Sequence, residues 1–176
     1  MGEAAGLPKI AMSVNVSALQ FRSKGLLKSI TAILDETGLA PEALNIEVTE
    51  CGLMECSKLG LPLLQLLRQA GVQVAIDDFG TGYSSLSYLR KLKVDALKID
   101  QSFVREITSS QGDTSIVRAI ISMGRSLNLR VIAGGVESAE DLALLKSQNC
   151  DEAQGFYFSR PVAAEQFAQL HQMQLN

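Results

Sequence analysis

The sequence predicts an α/β fold: a TIM-type (β/α) barrel of mostly parallel strands that lacks about two N-terminal βα units. Three observations predict it. A β-branched apolar run followed by a stretch of helical periodicity recurs six times in 176 residues, the pattern of βα units in a parallel sheet. The runs are nearly continuous in apolar residues, which means a sheet covered on both faces and leaves an open doubly wound sheet or a barrel. Asn15, Glu47, Asp77, Lys98, Glu137 and Gln154 each fall at or near the C-terminal end of a different run. Barrels assemble functional groups at that rim. A doubly wound sheet would instead concentrate function at one glycine-rich turn, and no Gly-x-Gly-x-x-Gly follows the first run.

Strands are expected at residues 10–17, 44–50, 72–78, 96–100, 129–137 and 154–159. Helices are expected between and after them at 26–37, 59–70, 84–91, 114–127, 139–147 and 163–172. Gly38 and Gly71 stand where the first two of these helices should stop. Residues 1–9 are expected to be a flexible lead-in to one domain spanning 1–176. Six units fall about two short of the roughly 250 residues of a complete barrel, and the missing ones belong before residue 10. The first and last strands should therefore expose unpaired edges, which invite pairing with another chain as a homodimer or a domain-swapped oligomer.

With 47% hydrophobic and 20% charged residues, the chain has apolar material for one buried core. A net charge of -3 and the absence of a basic cluster exclude a nonspecific DNA binder. Cys51, Cys56 and Cys150 lack zinc-site spacing and read as the reduced thiols of a cytoplasmic protein. There is no signal-peptide pattern at Met1 to Pro8, and no apolar window approaches membrane-spanning length. His171, the only histidine, is expected on the surface of a polar C-terminal helix.

The residues that carry chemistry start with Asp77-Asp78, where an apolar run ends in two adjacent carboxylates before Phe79-Gly80-Thr81-Gly82. Adjacent carboxylates repel unless solvent or a cation screens them, so the pair reads either as ligands for Mg²⁺ or Mn²⁺ or as a solvated, helix-capping pair. Alternation puts Asn15 with Ser17 on one strand face, and Glu47 with Thr49 on another. Alone, Asn15 is a turn or network residue; with Glu47 and the two Asp residues it completes an all-oxygen set suited to Mg²⁺. Lys98, a cation within Leu97-Lys98-Ile99, must pair with a carboxylate or face a ligand phosphate.

These segments together resemble the EAL domain family of cyclic di-GMP phosphodiesterases. The matching stretches are Ser13 to Ser17, Glu47-Val48-Thr49-Glu50, Asp77 to Ser85, Lys98-Ile99-Asp100, Gly135-Val136-Glu137, Gln154-Gly155-Phe156 and Ser159-Arg160-Pro161. The match runs over residues 10–162 in the family's order and spacing. The resemblance implies that Asn15, Glu47 and Asp77 ligate one Mg²⁺ or Mn²⁺ ion, and that Asp77 and Asp78 serve a second. It also implies that Lys98 orients the attacking water or the phosphate, with Glu137 and Gln154 supporting the site. Gln154, Asp100 and Arg160 would contact cyclic di-GMP. The loop from Phe79 to Ser85 resembles the family's coupling element between dimer contacts and metal, although Tyr83 and Leu86 read equally well as packing for the next helix.

Two departures bear on activity. The family's Glu-Ala-Leu signature belongs on a strand upstream of the Asn15 motif, whereas Glu42-Ala43-Leu44 stands at the wrong place and reads as a turn entering a strand. In the family's Ala-Glu-Gly-Val-Glu motif the first Glu is implicated as general base, and here Gly134 occupies that position. Losing a positioned base forfeits on the order of 10²- to 10⁴-fold in rate. Glu137, three residues further along an extended strand, is expected to face away, about 10 Å from Gly134. The expectation is a module impaired in catalysis that acts by binding cyclic di-GMP or a regulatory protein partner, with active hydrolysis to linear pGpG as the alternative.

Overall fold

Six short strands lie side by side, each parallel to the next and in chain order, and the sheet curls into part of a barrel with helices outside. The computed structural model describes residues 10–55, 57–82, 86–105, 107–108, 111–167 and 169, with the backbone alone at 57–59 and 111. The expectations for residues 1–9, Cys56, Tyr83 and His171 lie outside the described residues.

The strands are β1 (Met12–Asn15), β2 (Leu44–Thr49), β3 (Gln73–Phe79), β4 (Ala96–Ile99), β5 (Arg130–Gly134) and β6 (Glu152–Gln154). Between β1 and β2 come α1 (Ala18–Phe21) and α2 (Leu26–Thr37); α3 (Glu50–Glu55) and α4 (Ser57–Gln69) lead to β3. α5 (Leu86–Leu92) precedes β4, α6 (Gln101–Arg105) and α7 (Gln111–Ser126) precede β5, and α8 (Ala139–Ser147) precedes β6.

Local chemistry sets several boundaries. Ser17 caps α1 by accepting from the Gln20 N–H at 3.3 Å, and the Gln20 side chain answers the Ser17 N–H. Ser138 and Asp141 do the same for α8. At the end of α2, Gly38 takes φ +68° and its N–H returns to the Leu34 carbonyl, as anticipated for a helix stop. Glu42-Ala43-Leu44 is a turn into a strand, as read from the sequence: Pro41–Ala43 is a 3₁₀ turn and Leu44 opens β2.

Alternation along the strands divides the core. Ile46, Val48, Val74, Ile76, Leu97, Ile99 and Val131 belong to the large buried cluster that the helices cover. Ala75, Ala96 and Ile132, offset by one residue, form a separate small cluster on the concave face. A narrow concave face leaves room for few large side chains, so two of these three are alanine.

Among the described residues the predicted open edges are present: β1 pairs only with β2, and β6 only with β5. All four residues of β1 are exposed, including Met12 and Val14.

Three strands differ most from expectation, and three short helices were not anticipated. The first strand is Met12–Asn15 rather than 10–17, because Ser17 turns out to cap α1. The last strand is Glu152–Gln154 rather than 154–159, since the chain turns at Gly155 under Val136, where the Tyr157 N–H meets the Val136 carbonyl at 3.0 Å. The short helices α1, α3 and α6 are too brief to show a helical period. The fifth strand stops at Gly134, not at residue 137.

Candidate functional site at the strand ends

The register brings the singled-out residues to one rim. Asn15 lies opposite Glu47, Thr49 opposite Asp77, Lys98 opposite Ile132, and Gly134 opposite Gln154. Asn15 is exposed on the edge strand. Its neighbour Glu47 is 4% exposed.

At the centre sits Lys98. Its Nζ donates to Glu47 Oε2 at 2.6 Å and to Asp77 Oδ2 at 3.4 Å, so one ammonium joins carboxylates from two other strands. The carboxylate pairing expected of Lys98 is present. Burial works against the Lys98 charge, but its hydrogen bond to the Glu47 carboxylate and the Asp77 charge outweigh it and hold the ammonium above the usual lysine range.

Asp77 and Asp78 diverge. The Asp77 carboxylate takes the Lys98 ammonium on one oxygen, and its other oxygen accepts the Asp78 N–H at 2.9 Å. Asp78 has φ +53° and its side chain turns to Asp100. Partial burial, then the Asp77 and Asp100 charges, push the Asp78 carboxyl above its usual range. Asp100 moves the other way: burial opposes its charge, but the Ser102 hydroxyl and backbone N–H, the latter at 2.8 Å, stabilise it. Asp78 and Asp100 thus shift in opposite directions, Asp78 up and Asp100 down, across the contact they share.

Among the described residues, no three Asp, Glu, Cys or His side chains stand close enough together to hold one ion. The oxygen set at this rim therefore consists of the Glu47 and Asp77 carboxylates, the neighbouring Asn15 amide, and Asp78 beyond them.

A cleft of about 280 Å³ opens beside Lys98, lined among others by Asp77, Asp78, Gly134, Glu137, Gln154 and Phe156. A Cβ placed on Gly134 would lie 3.7 Å from Lys98 Cε and 3.2 Å from the Ile99 carbonyl oxygen, so this position faces the lysine. The expectation that Glu137 faces away does not hold as argued. Extended alternation ends at Gly134, Gly135 takes φ +80°, and the chain carries Glu137 back to the same cleft. There Glu137 Oε1 meets Arg105 Nε at 3.5 Å, with both side chains about half exposed. A Cβ on Gly135 would fall 2.5 Å from that of Gln101, so no other residue fits that bend. The Arg160 guanidinium stacks on the Phe156 ring, 4.7 Å from its centroid, at the mouth of the cleft.

Sequence reasoning undervalued Glu50. It is 2% exposed, and its Oε2 accepts the Gly80 N–H at 3.0 Å and the Gly82 N–H at 3.2 Å, holding the turn after Asp78. A Cβ on Gly82 would press on that carboxylate at 2.9 Å. The available signal was the pairing of an acid at a strand end with a Gly-x-Gly turn whose N–H groups are bare. Arg105 was also missed, since nothing in the sequence ties it to Glu137.

Comparison with known proteins agrees with this geometry. The EAL domain family model matches residues 2–161. The chain is 45% identical over 166 residues to the cyclic di-GMP phosphodiesterase NbdA of Pseudomonas aeruginosa, covering 93% of this chain and 21% of that protein. It thus spans about a fifth of that relative's length. Among solved structures, PaMucR phosphodiesterase in complex with c-di-GMP superposes with a TM-score of 0.86 at 43% identity, over 89% of this chain and 64% of that one. The manganese and cy-diGMP complex of Klebsiella pneumoniae BlrP1 gives 0.82 at 34% identity, over 91% and 41%. With the motifs at one rim, the parallel sheet that carries them and a family match across nearly the whole sequence, the chain belongs to the EAL domain family.

Proposed function

We propose that this chain is a single EAL module that binds cyclic di-GMP at the rim around Lys98 and hydrolyses it weakly or not at all. The observation that carries the reading is Gly134. Its missing side chain would point at Lys98, so a carboxylate is lacking beside the one cation at the centre of the rim.

The chemistry of the donor set suits a hard divalent cation such as Mg²⁺ or Mn²⁺: Asn15, Glu47 and Asp77 offer only oxygen, and Asp78 adds a further carboxylate. Mg²⁺ tolerates few protein ligands because it keeps several waters. When bound, such an ion supplies Lewis-acid polarisation of a phosphoryl oxygen. Lys98 contributes a fixed positive charge, oriented by Glu47 and Asp77, toward a phosphate in the cleft. Gln154 and Glu137, which line the cleft, provide polar contacts for the nucleotide, joined by Asp100 beside Asp78 and by Arg160 stacked on Phe156. With no side-chain acceptor at Gly134, a water aimed at phosphorus finds no base there, at a loss on the order of 10²- to 10⁴-fold.

The named activity of relatives such as NbdA supports a second reading, active Mg²⁺- or Mn²⁺-dependent hydrolysis to linear pGpG. The exposed edges of β1 and β6 support self-association as a homodimer or a domain-swapped oligomer, or capture of a regulatory protein partner. No helix among the described residues is long and apolar enough to cross a membrane, and a cytoplasmic nucleotide ligand accords with that.

The test is cyclic di-GMP with Mn²⁺ or Mg²⁺, monitored by calorimetry for binding and by chromatography for pGpG. Binding with negligible turnover is expected. Gly134→Glu, made in this chain and in a form extended at the N-terminus, is expected to raise turnover at least 10²-fold. No gain in either form refutes the missing-base explanation, and wild-type turnover equal to that of the variant refutes impairment.

A further inference from the structure

A second cavity lies remote from the rim. About 820 Å³ in volume, it opens at the opposite end of the sheet, where the chain enters β4 and β5. Arg68 of α4, Arg90 of α5 and Lys93 of the following turn line it, beside the partly exposed Leu127 and Leu129. Among the described residues no carboxylate lines it.

Three cations gathered without an acid stand out on a chain whose net charge is -3. Like charges held together cost free energy, and an anion relieves that cost. The arrangement is also partly fixed in advance. Arg68 Nη1 donates to the Lys93 carbonyl at 3.2 Å, tying the guanidinium to the turn that carries the second cation. Lys93 itself takes φ +50° in that turn, and Asn128, at the other wall, takes φ +56°.

The size narrows the ligand. Pockets for small organic ligands run to roughly 300–1,000 Å³, well beyond the needs of one inorganic ion. Guanidinium groups match phosphate oxygens in a two-pronged fashion, and the two leucines offer a seat for a ring. We propose that this cavity binds an organic phosphate, with two or more phosphoryl groups against Arg68, Arg90 and Lys93 and its ring on the partly exposed Leu127 and Leu129. This site shares no residue with the cleft at Lys98 and stands whether or not that cleft binds cyclic di-GMP.

The experiment uses the full chain in EDTA, so that no divalent ion attaches a phosphate to the carboxylate rim. ADP, AMP and inorganic pyrophosphate are titrated by calorimetry at about 50 and about 200 mM salt. ADP is expected to bind, on the order of tenfold tighter than AMP or pyrophosphate, and to weaken at the higher salt. The triple variant Arg68→Gln, Arg90→Gln, Lys93→Gln is expected to keep its circular dichroism and unfolding midpoint, because all three side chains are exposed, and to lose at least tenfold in ADP affinity. Protection of residues 65–69 and 89–94 from hydrogen exchange on adding ADP locates the site. The proposal is overturned if ADP does not bind at millimolar concentration, if the triple variant binds it undiminished, if pyrophosphate binds as tightly as ADP, or if only an acidic peptide binds.

Discussion

Replacing Lys98 with Met removes the one cation shared by Glu47 and Asp77 while keeping most of the aliphatic stem. Glu47 then keeps a carboxylate whose side chain is 4% exposed, with its 2.6 Å partner gone. Breaking a buried pair from one side costs about 3–5 kcal/mol, and the 13% exposure of Lys98 itself puts the expected loss near the lower end, about 3 kcal/mol. For a chain of this size that lowers the unfolding midpoint by about 6–12 °C. Urea unfolding followed by circular dichroism at pH 7 measures it. The pH dependence adds a second readout. Lys98 is held above the ordinary lysine value of 10.5, so its stabilisation is complete below that value and is lost as pH rises through the raised one. The gap between wild type and variant should therefore be widest near neutrality. It should close at high pH as Lys98 deprotonates. Adding Glu47→Gln to the variant should recover most of the loss, since the orphaned charge is gone. A variant within about 0.5 kcal/mol of wild type at pH 7, or a double variant no better than the single one, refutes the claim that this ammonium holds the rim together.

Two further outcomes follow from the same structure. Glu50→Ala should cost about 2 kcal/mol through the lost charge-assisted bonds to Gly80 and Gly82. Faster hydrogen exchange confined to residues 79–82 would mark the turn as released, and unchanged exchange there contradicts the anchoring role. Cys150 should resist alkylation by iodoacetamide at pH 8, because burial pushes its thiol up to about 11 and keeps it protonated, while exposed Cys51 reacts. Peptide mapping by mass spectrometry compares the two, and equal labelling disproves the shift.

Much of the fold was legible in the sequence because its signal is periodic. The near-continuous burial along β2 and β3, and the capping residues of α8, are local properties written in consecutive residues. The motif order placed Asn15, Glu47, Asp77, Lys98 and Gln154 at strand ends, and a parallel sheet in chain order puts strand ends together. What lay beyond a strand end was harder to read. Glu137 was carried onward by an alternation that had stopped at Gly134, and the last strand was drawn past Gly155, where the backbone packs against Val136.

From the sequence alone came the parallel sheet, its open N-terminal edge, the family and the cast of polar residues, because periodicity and spacing are written in the order of the chain. Only the tertiary structure decided which group each of them meets: Lys98 between Glu47 and Asp77, Asp78 turned to Asp100, Glu137 on Arg105, and Glu50 beneath the Gly80 turn. The physical reason is that these contacts join residues about 20 to 50 positions apart across strand register and sheet curvature, and no local preference of the backbone specifies such a meeting.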